Sequence, residues 1–249
     1  MDLQAAPGEG PGPAAPWWAI APLSAAAAHP GVRLLAAELD RARGYAPGRP
    51  REDFVAGRIL ARVLAAELLG LPGVQGREVL PGELEIAQWC PQCASTAHGT
   101  PRLRLPDRGD GYALSYARTA GWLLLGLAPG RGRLGVDLAD SADAAFGPGD
   151  GNLLEDYAYA PGERARLRAL PGEERQRLRA RWWALKEAVA KASGEGLAGE
   201  GGIPVVAGEQ RHPLLRAAGT RVLEPLPGTP DSLGRALPGT LLGSIVWAP

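Results

Sequence analysis

Apolar residues recur at helical spacing between Glu52 and Leu69, and the run ends at Gly70 with Pro72 just beyond. That pattern predicts an amphipathic helix with a clean C-terminal stop. Arg58 and Arg62 stand four apart and so share one side of it. Similar spacing (Val32, Leu35, Leu39) predicts a helix over Gly31–Arg43, and a long helix is expected from about Glu173 to Ser193, stopping at Gly194. Leu153–Ala158 and Gly162–Leu170 read as shorter helices. Denser apolar runs read as strands at Trp17–Leu23, Tyr112–Ser115, Trp122–Ala128 and Leu134–Leu138. The last two flank Pro129-Gly130-Arg131-Gly132, a hairpin signal. Short strands and loops are expected from Val74 to Arg104, and the Pro- and Gly-punctuated tail predicts strands at Arg211–Arg216, Thr220–Leu223 and Thr240–Trp247.

Both halves run through strands, helices and strands in a similar order, which points to an α+β fold and permits two related subdomains, 17–128 and 129–249. Residues 1–16, rich in Pro, Gly and Ala, read as a disordered leader without the layout of a signal peptide. No stretch reaches the roughly 18 apolar residues that a membrane span needs. Two cysteines give no disulfide framework, so the chain reads as cytoplasmic. A net charge of zero leaves no global field to draw it onto nucleic acid.

One compositional feature changes the picture. Of 27 basic residues only Lys186 and Lys191 are lysine. A chain so biased toward arginine keeps two lysines five positions apart, which suggests a need for a compact ammonium there. Glu187 and Lys191 lie at i and i+4 on one helix face. They read either as a solvated pair or as a carboxylate on a metal with an ammonium about 5–6 Å along, a match for a metal-bound diphosphate. Asp137 interrupts the apolar strand Leu134-Gly135-Val136-Asp137-Leu138-Ala139. A carboxylate there is costly unless it faces water, is paired or binds metal. Cys90, Cys93 and His98 fall one short of the four ligands of a structural zinc site, and a reduced cysteine loop is the simpler reading. The chain has neither a Gly-x-x-x-x-Gly-Lys-[Ser/Thr] loop nor a Gly-x-Ser-x-Gly elbow.

Taken together, apolar-Gly-Val-Asp137, a gap of about 50 residues, then Trp183-Ala184-Leu185-Lys186-Glu187-Ala188 and Lys191 resemble the two signature motifs of the Sfp-type 4′-phosphopantetheinyl transferases. Leu114-Ser115-Tyr116 stands where that family usually has Ser-His. Arg49–Gly70 resembles its N-terminal helix, with leading basic residues, Arg-x-x-x-Arg and a Leu-Gly ending. The resemblance spans Arg49 to Leu197. It implies two similar subdomains related by a pseudo-twofold, with the active site at their interface. The implied activity is Mg²⁺-dependent transfer of the phosphopantetheine arm of coenzyme A to a serine of an acyl or peptidyl carrier protein, with release of 3′,5′-ADP. By the same resemblance Asp137 and Glu187 ligate Mg²⁺, and Glu187 also acts as base. Lys191 holds the diphosphate and Lys186 supports its charge. Ser115 and Tyr116 lie along the phosphates, while Arg49, Arg51 and Arg58 cover the 3′-phosphate.

Two positions depart from the family pattern. Ala139 replaces a frequent second acid, with Asp140 next on the opposite strand face, and Tyr116 replaces the histidine. They leave a catalytically silent coenzyme A- or carrier-binding relative as the alternative. Between Glu163 and Arg181, seven arginines face three glutamates. This stretch is either a solvated helical face or a basic surface that docks an acidic carrier.

Overall fold

A computed structural model describes residues 16–70, 81–89, 95, 99–105, 108–130, 132–147, 153–197, 202–225 and 227–249. Cys90, Cys93, His98 and all but the last residue of the expected leader lie outside them. The chain divides into two compact units, Met1–Gly130 and Arg131–Pro249. Both mix helices with antiparallel sheet, an α+β arrangement. Among the described residues no helix is long and apolar enough to cross a membrane.

The first unit contains β1 (Trp17–Pro22), α1 (Ala36–Arg43), α2 (Arg49–Leu68), β2 (Glu85–Trp89), β3 (Thr100–Leu105), β4 (Arg108–Thr119) and β5 (Trp122–Ala128). Its strands form one antiparallel sheet in the order β1-β5-β4-β3-β2. Leu60, Ala61, Leu64 and Ala65 of α2 pack on Leu114, Leu123, Leu125 and Leu127, so the predicted helical stripe is the face laid on the sheet. The helix starts three residues earlier than its apolar stripe because Pro50, pre-set for helical φ, sits in its first turn. The β4–β5 turn holds Ala120 and Gly121 at φ 48° and 79°, the left-handed pair that a two-residue hairpin of this twist requires.

Helix α1 departs from its expected apolar face. It begins at Ala36, where the Glu38 carboxylate accepts the Leu35 N–H at 2.9 Å. Leu35 and Leu39 are exposed while Glu38 is buried. Arg62, fully buried on α2, explains the inversion: its Nη2 donates to Glu38 Oε2 at 2.8 Å, and its Nε donates to the Leu84 carbonyl. A charged pair formed in the interior has taken the place of the apolar contact that periodicity suggested.

The second unit contains β6 (Arg133–Asp140), α3 (Leu153–Ala158), α4 (Pro161–Arg168), α5 (Gly172–Ser193), β7 (Arg221–Leu223) and β8 (Leu241–Ala248), with strand order β6-β8-β7. The expected hairpin across Pro129–Gly132 does not form. Strand β5 has β1 on one side and β4 on the other, so neither side is open to β6, which pairs with β8. Residues 211–216 form a 3₁₀ turn at Pro213–Arg216 instead of a strand, since Pro213 cannot donate to a ladder.

Helix α5 lies directly on this sheet. Ala180, Ala184, Ala188 and Ala192 recur every fourth residue and are all buried. A Cβ on Gly135 would come within 1.9 Å of the Ala188 carbonyl oxygen and 2.6 Å of the Ala192 nitrogen. Only a glycine on β6 and an alanine stripe on α5 allow this approach.

Candidate active site

The close approach of α5 to β6 brings three of the candidate residues together. Strand alternation puts Asp137 on the same face as Gly135, the face that α5 covers. Helical side chains lean toward the N-terminus, so Lys191 reaches back over the preceding turn. Its Nζ donates to Asp137 Oδ1 at 2.6 Å and to the Val136 carbonyl at 3.0 Å. Glu187, one turn earlier and half-buried, lies within the field of both charges.

The electrostatics show what this cluster lacks. Burial pushes the Asp137 carboxyl above its ordinary range, and the Lys191 ammonium only partly offsets it. Burial also raises the Glu187 carboxyl, the Asp137 charge raises it further, and Lys191 again pulls the other way. Two carboxylates share one ammonium, so further positive charge is favoured at the site. The donor set is all oxygen, which suits a hard cation. Among the described residues no group of three or more His, Cys, Asp or Glu side chains could hold a metal ion. Two carboxylates nevertheless fit Mg²⁺, which commonly keeps several waters and takes the rest from substrate phosphates. Asp140 is engaged elsewhere: its Oδ1 accepts the Ala142 N–H at 3.0 Å in the turn after β6. Ala139, at the position of the missing acid, packs against Ala180 and Ala184.

Lys186 stands apart from the cluster. Five residues from Lys191, it points about 140° away around the helix. It is fully buried, and its Nζ donates to Glu163 Oε2 and to the Pro204 carbonyl, both at 2.6 Å. Glu163 accepts in addition from the N–H groups of Ala160, Val206 and Ala207. The pair ties α4, α5 and the 204–207 segment together, so the expected support of a diphosphate by Lys186 is replaced by an internal tie.

The first-unit candidates also separate. Adjacent in β4, Ser115 and Tyr116 face opposite sides of the sheet. Tyr116 joins the α2 face, where the Arg58 guanidinium lies 5.6 Å from its ring centre and 5.5 Å from that of Phe54. Arg58 is buried with Glu38 Oε1 at 3.4 Å, which makes it part of the core and not a surface phosphate ligand. Arg51 donates to the Tyr45 carbonyl at 3.0 Å. Arg49 alone of the three projects into solvent, 3.7 Å from Asp53. Arg118 was missed by sequence reasoning. It lies across Gly57, stacks over Phe54 and lines a 260 Å³ pocket with Tyr45, Pro50 and Asp53. Its alternation with Tyr116 was the available signal.

The arginines between Glu163 and Arg181 are not uniformly a surface. Arg179 is buried on Glu155, and Arg181 is held by Glu224 in two hydrogen bonds. Arg166 covers the Trp182 ring, and Arg168 lies 3.6 Å from Glu155. Arg164 and Arg177 donate to backbone carbonyls, which orients them without cancelling their charge, and Arg175 also donates to the Leu170 carbonyl.

Residues 133–216, which carry Asp137, Glu187 and Lys191, match the model of the 4′-phosphopantetheinyl transferase superfamily. Over 172 residues, 68% of this chain, the sequence is 30% identical to a Synechocystis sp. protein named "putative 4′-phosphopantetheinyl transferase". The match spans 61% of that relative's length.

Proposed function

We propose that the chain transfers the 4′-phosphopantetheine group of coenzyme A to a serine of a carrier protein. The observation that carries this reading is the convergence of Asp137, Glu187 and Lys191 within the segment that matches the superfamily. Asp137 and Glu187 would hold Mg²⁺, which when bound draws charge from the coenzyme A diphosphate. Glu187, its carboxyl half-buried, would take the proton of the carrier serine. The serine oxygen then bonds to the phosphorus that bears the pantetheine arm, the bond to the other phosphate breaks, and 3′,5′-ADP leaves with the electron pair. Lys191 would exchange Asp137 for a diphosphate oxygen as charge develops there. The loosely similar order of elements in the two units, a strand, then helices, then strands, supports reading them as related subdomains. Acidic carriers of fatty-acid, polyketide or peptide synthesis fit the exposed arginines of α4 and α5.

The test is to incubate the protein with coenzyme A, Mg²⁺ and an apo carrier, and to weigh the carrier. A mass gain of one phosphopantetheine is expected, with at least a hundredfold loss of rate in Asp137→Ala and Glu187→Gln at unchanged melting temperature. Binding of coenzyme A with no mass gain on any carrier class would support the silent relative instead.

A further inference from the structure

Directly across the sheet from Asp137 stands Ser244 of β8, its register partner in the antiparallel β6–β8 ladder. Its side chain is on the face that α5 covers. Two residues away on that face, Leu242 packs with Ala139, Ala180 and Ala184, and Val246 packs with Ala188, Val189 and Ala192. Cross-strand partners on one face bring their Cβ atoms to about 4.5–5.5 Å. Ser244 is wholly buried, and its Oγ has no hydrogen-bond partner. A buried hydroxyl without a partner is costly, and alanine would fill nearly the same space between Leu242 and Val246.

We propose that Ser244 is a further positioning residue of this site, its hydroxyl donating to the Asp137 carboxylate in the cation-bound state. The inference rests on the reading of Asp137 as a metal ligand. Lys191 approaches Asp137 from α5, whereas Ser244 approaches from β8. A carboxylate accepts up to about four hydrogen bonds, so both donors can be accommodated. When Lys191 transfers to a diphosphate oxygen, Asp137 loses its charged donor. Rotation of Ser244 about χ1 supplies a replacement without backbone movement and keeps the carboxylate oriented toward the cation.

The experiment titrates Mg²⁺ into the protein by calorimetry at saturating coenzyme A, and records melting temperatures of the metal-free protein. Ser244→Ala should weaken Mg²⁺ binding about tenfold, the effect of one hydrogen bond to a charged group. Its metal-free melting temperature should be unchanged or higher, because an unpaired buried hydroxyl is removed. Ser244→Thr, which keeps the hydroxyl, should bind Mg²⁺ within threefold of wild type even where its extra methyl lowers stability. Equal Mg²⁺ affinity in wild type and Ser244→Ala overturns the proposal, as does an equal loss in the Ala and Thr variants. Wild-type protein that takes up no Mg²⁺ overturns the metal assignment itself, and this proposal with it.

Discussion

The two lysines of this chain differ by five positions and by almost everything else. Lys191 is one-third exposed and shares its ammonium between Asp137 and a backbone carbonyl. Lys186 is buried to 1% of its side chain on a carboxylate buried to the same degree. Removing one partner of such an interior pair leaves the other charge stranded, which costs about 3–5 kcal/mol. Lys186→Met should therefore lower the melting temperature by about 6–20 °C, at roughly 2–4 °C per kcal/mol for a chain of this size. Lys191→Met should leave the melting temperature within a few degrees of wild type while transfer is lost. Thermal melts set beside transfer rates decide this. A Lys186 variant with normal stability but poor coenzyme A binding would return that residue to the diphosphate.

Among the elements, the contact of β6 with α5 determines whether a site exists at all. Asp137 is on the strand and Glu187 and Lys191 are on the helix, so their spacing is set by how closely the two backbones approach. Gly135 sets that distance. Its substitution by alanine drives a methyl into backbone atoms of Ala188 and Ala192, which no side-chain rotation relieves. Gly135→Ala should cost roughly 3 kcal/mol or more, and transfer should fall further than the loss of folded protein explains. If the variant melts within 2 °C of the parent and transfers normally, the proposed dependence on close packing is wrong. Adding bulk to the exposed Leu39 serves as the control.

For the molecule as a whole, a net charge of zero means that any electrostatic steering of a partner must be local. Of the seven arginines between Glu163 and Arg181, Arg179 and Arg181 are neutralised by Glu155 and Glu224. Arg164 and Arg177 donate to backbone carbonyls, which do not offset their charge. If these two meet an acidic carrier, raising salt from about 0.05 to 0.5 M should raise the KM for carrier severalfold more than that for coenzyme A. Changing both to glutamine should flatten that salt dependence. Equal salt sensitivity for both substrates would count against the surface.

Periodicity and punctuation determined the elements. The α2 stripe, the Gly194 stop of α5 and the apolar runs of β5 and β6 are local properties, because backbone hydrogen bonding and side-chain period act over a few residues. The spacing of Glu187 and Lys191 on one helix face was legible for the same reason. Which strand pairs with which was not. The Pro129–Gly132 segment has hairpin chemistry, yet β6 pairs with β8, more than a hundred positions further on. Long-range burial likewise turned Glu38 and Arg62 inward, made Arg58 a core residue and Lys186 a tie to Glu163, and set the unpaired Ser244 opposite Asp137. Buried charge and hydroxyl placement depend on which distant partner arrives, and only the tertiary structure decides that.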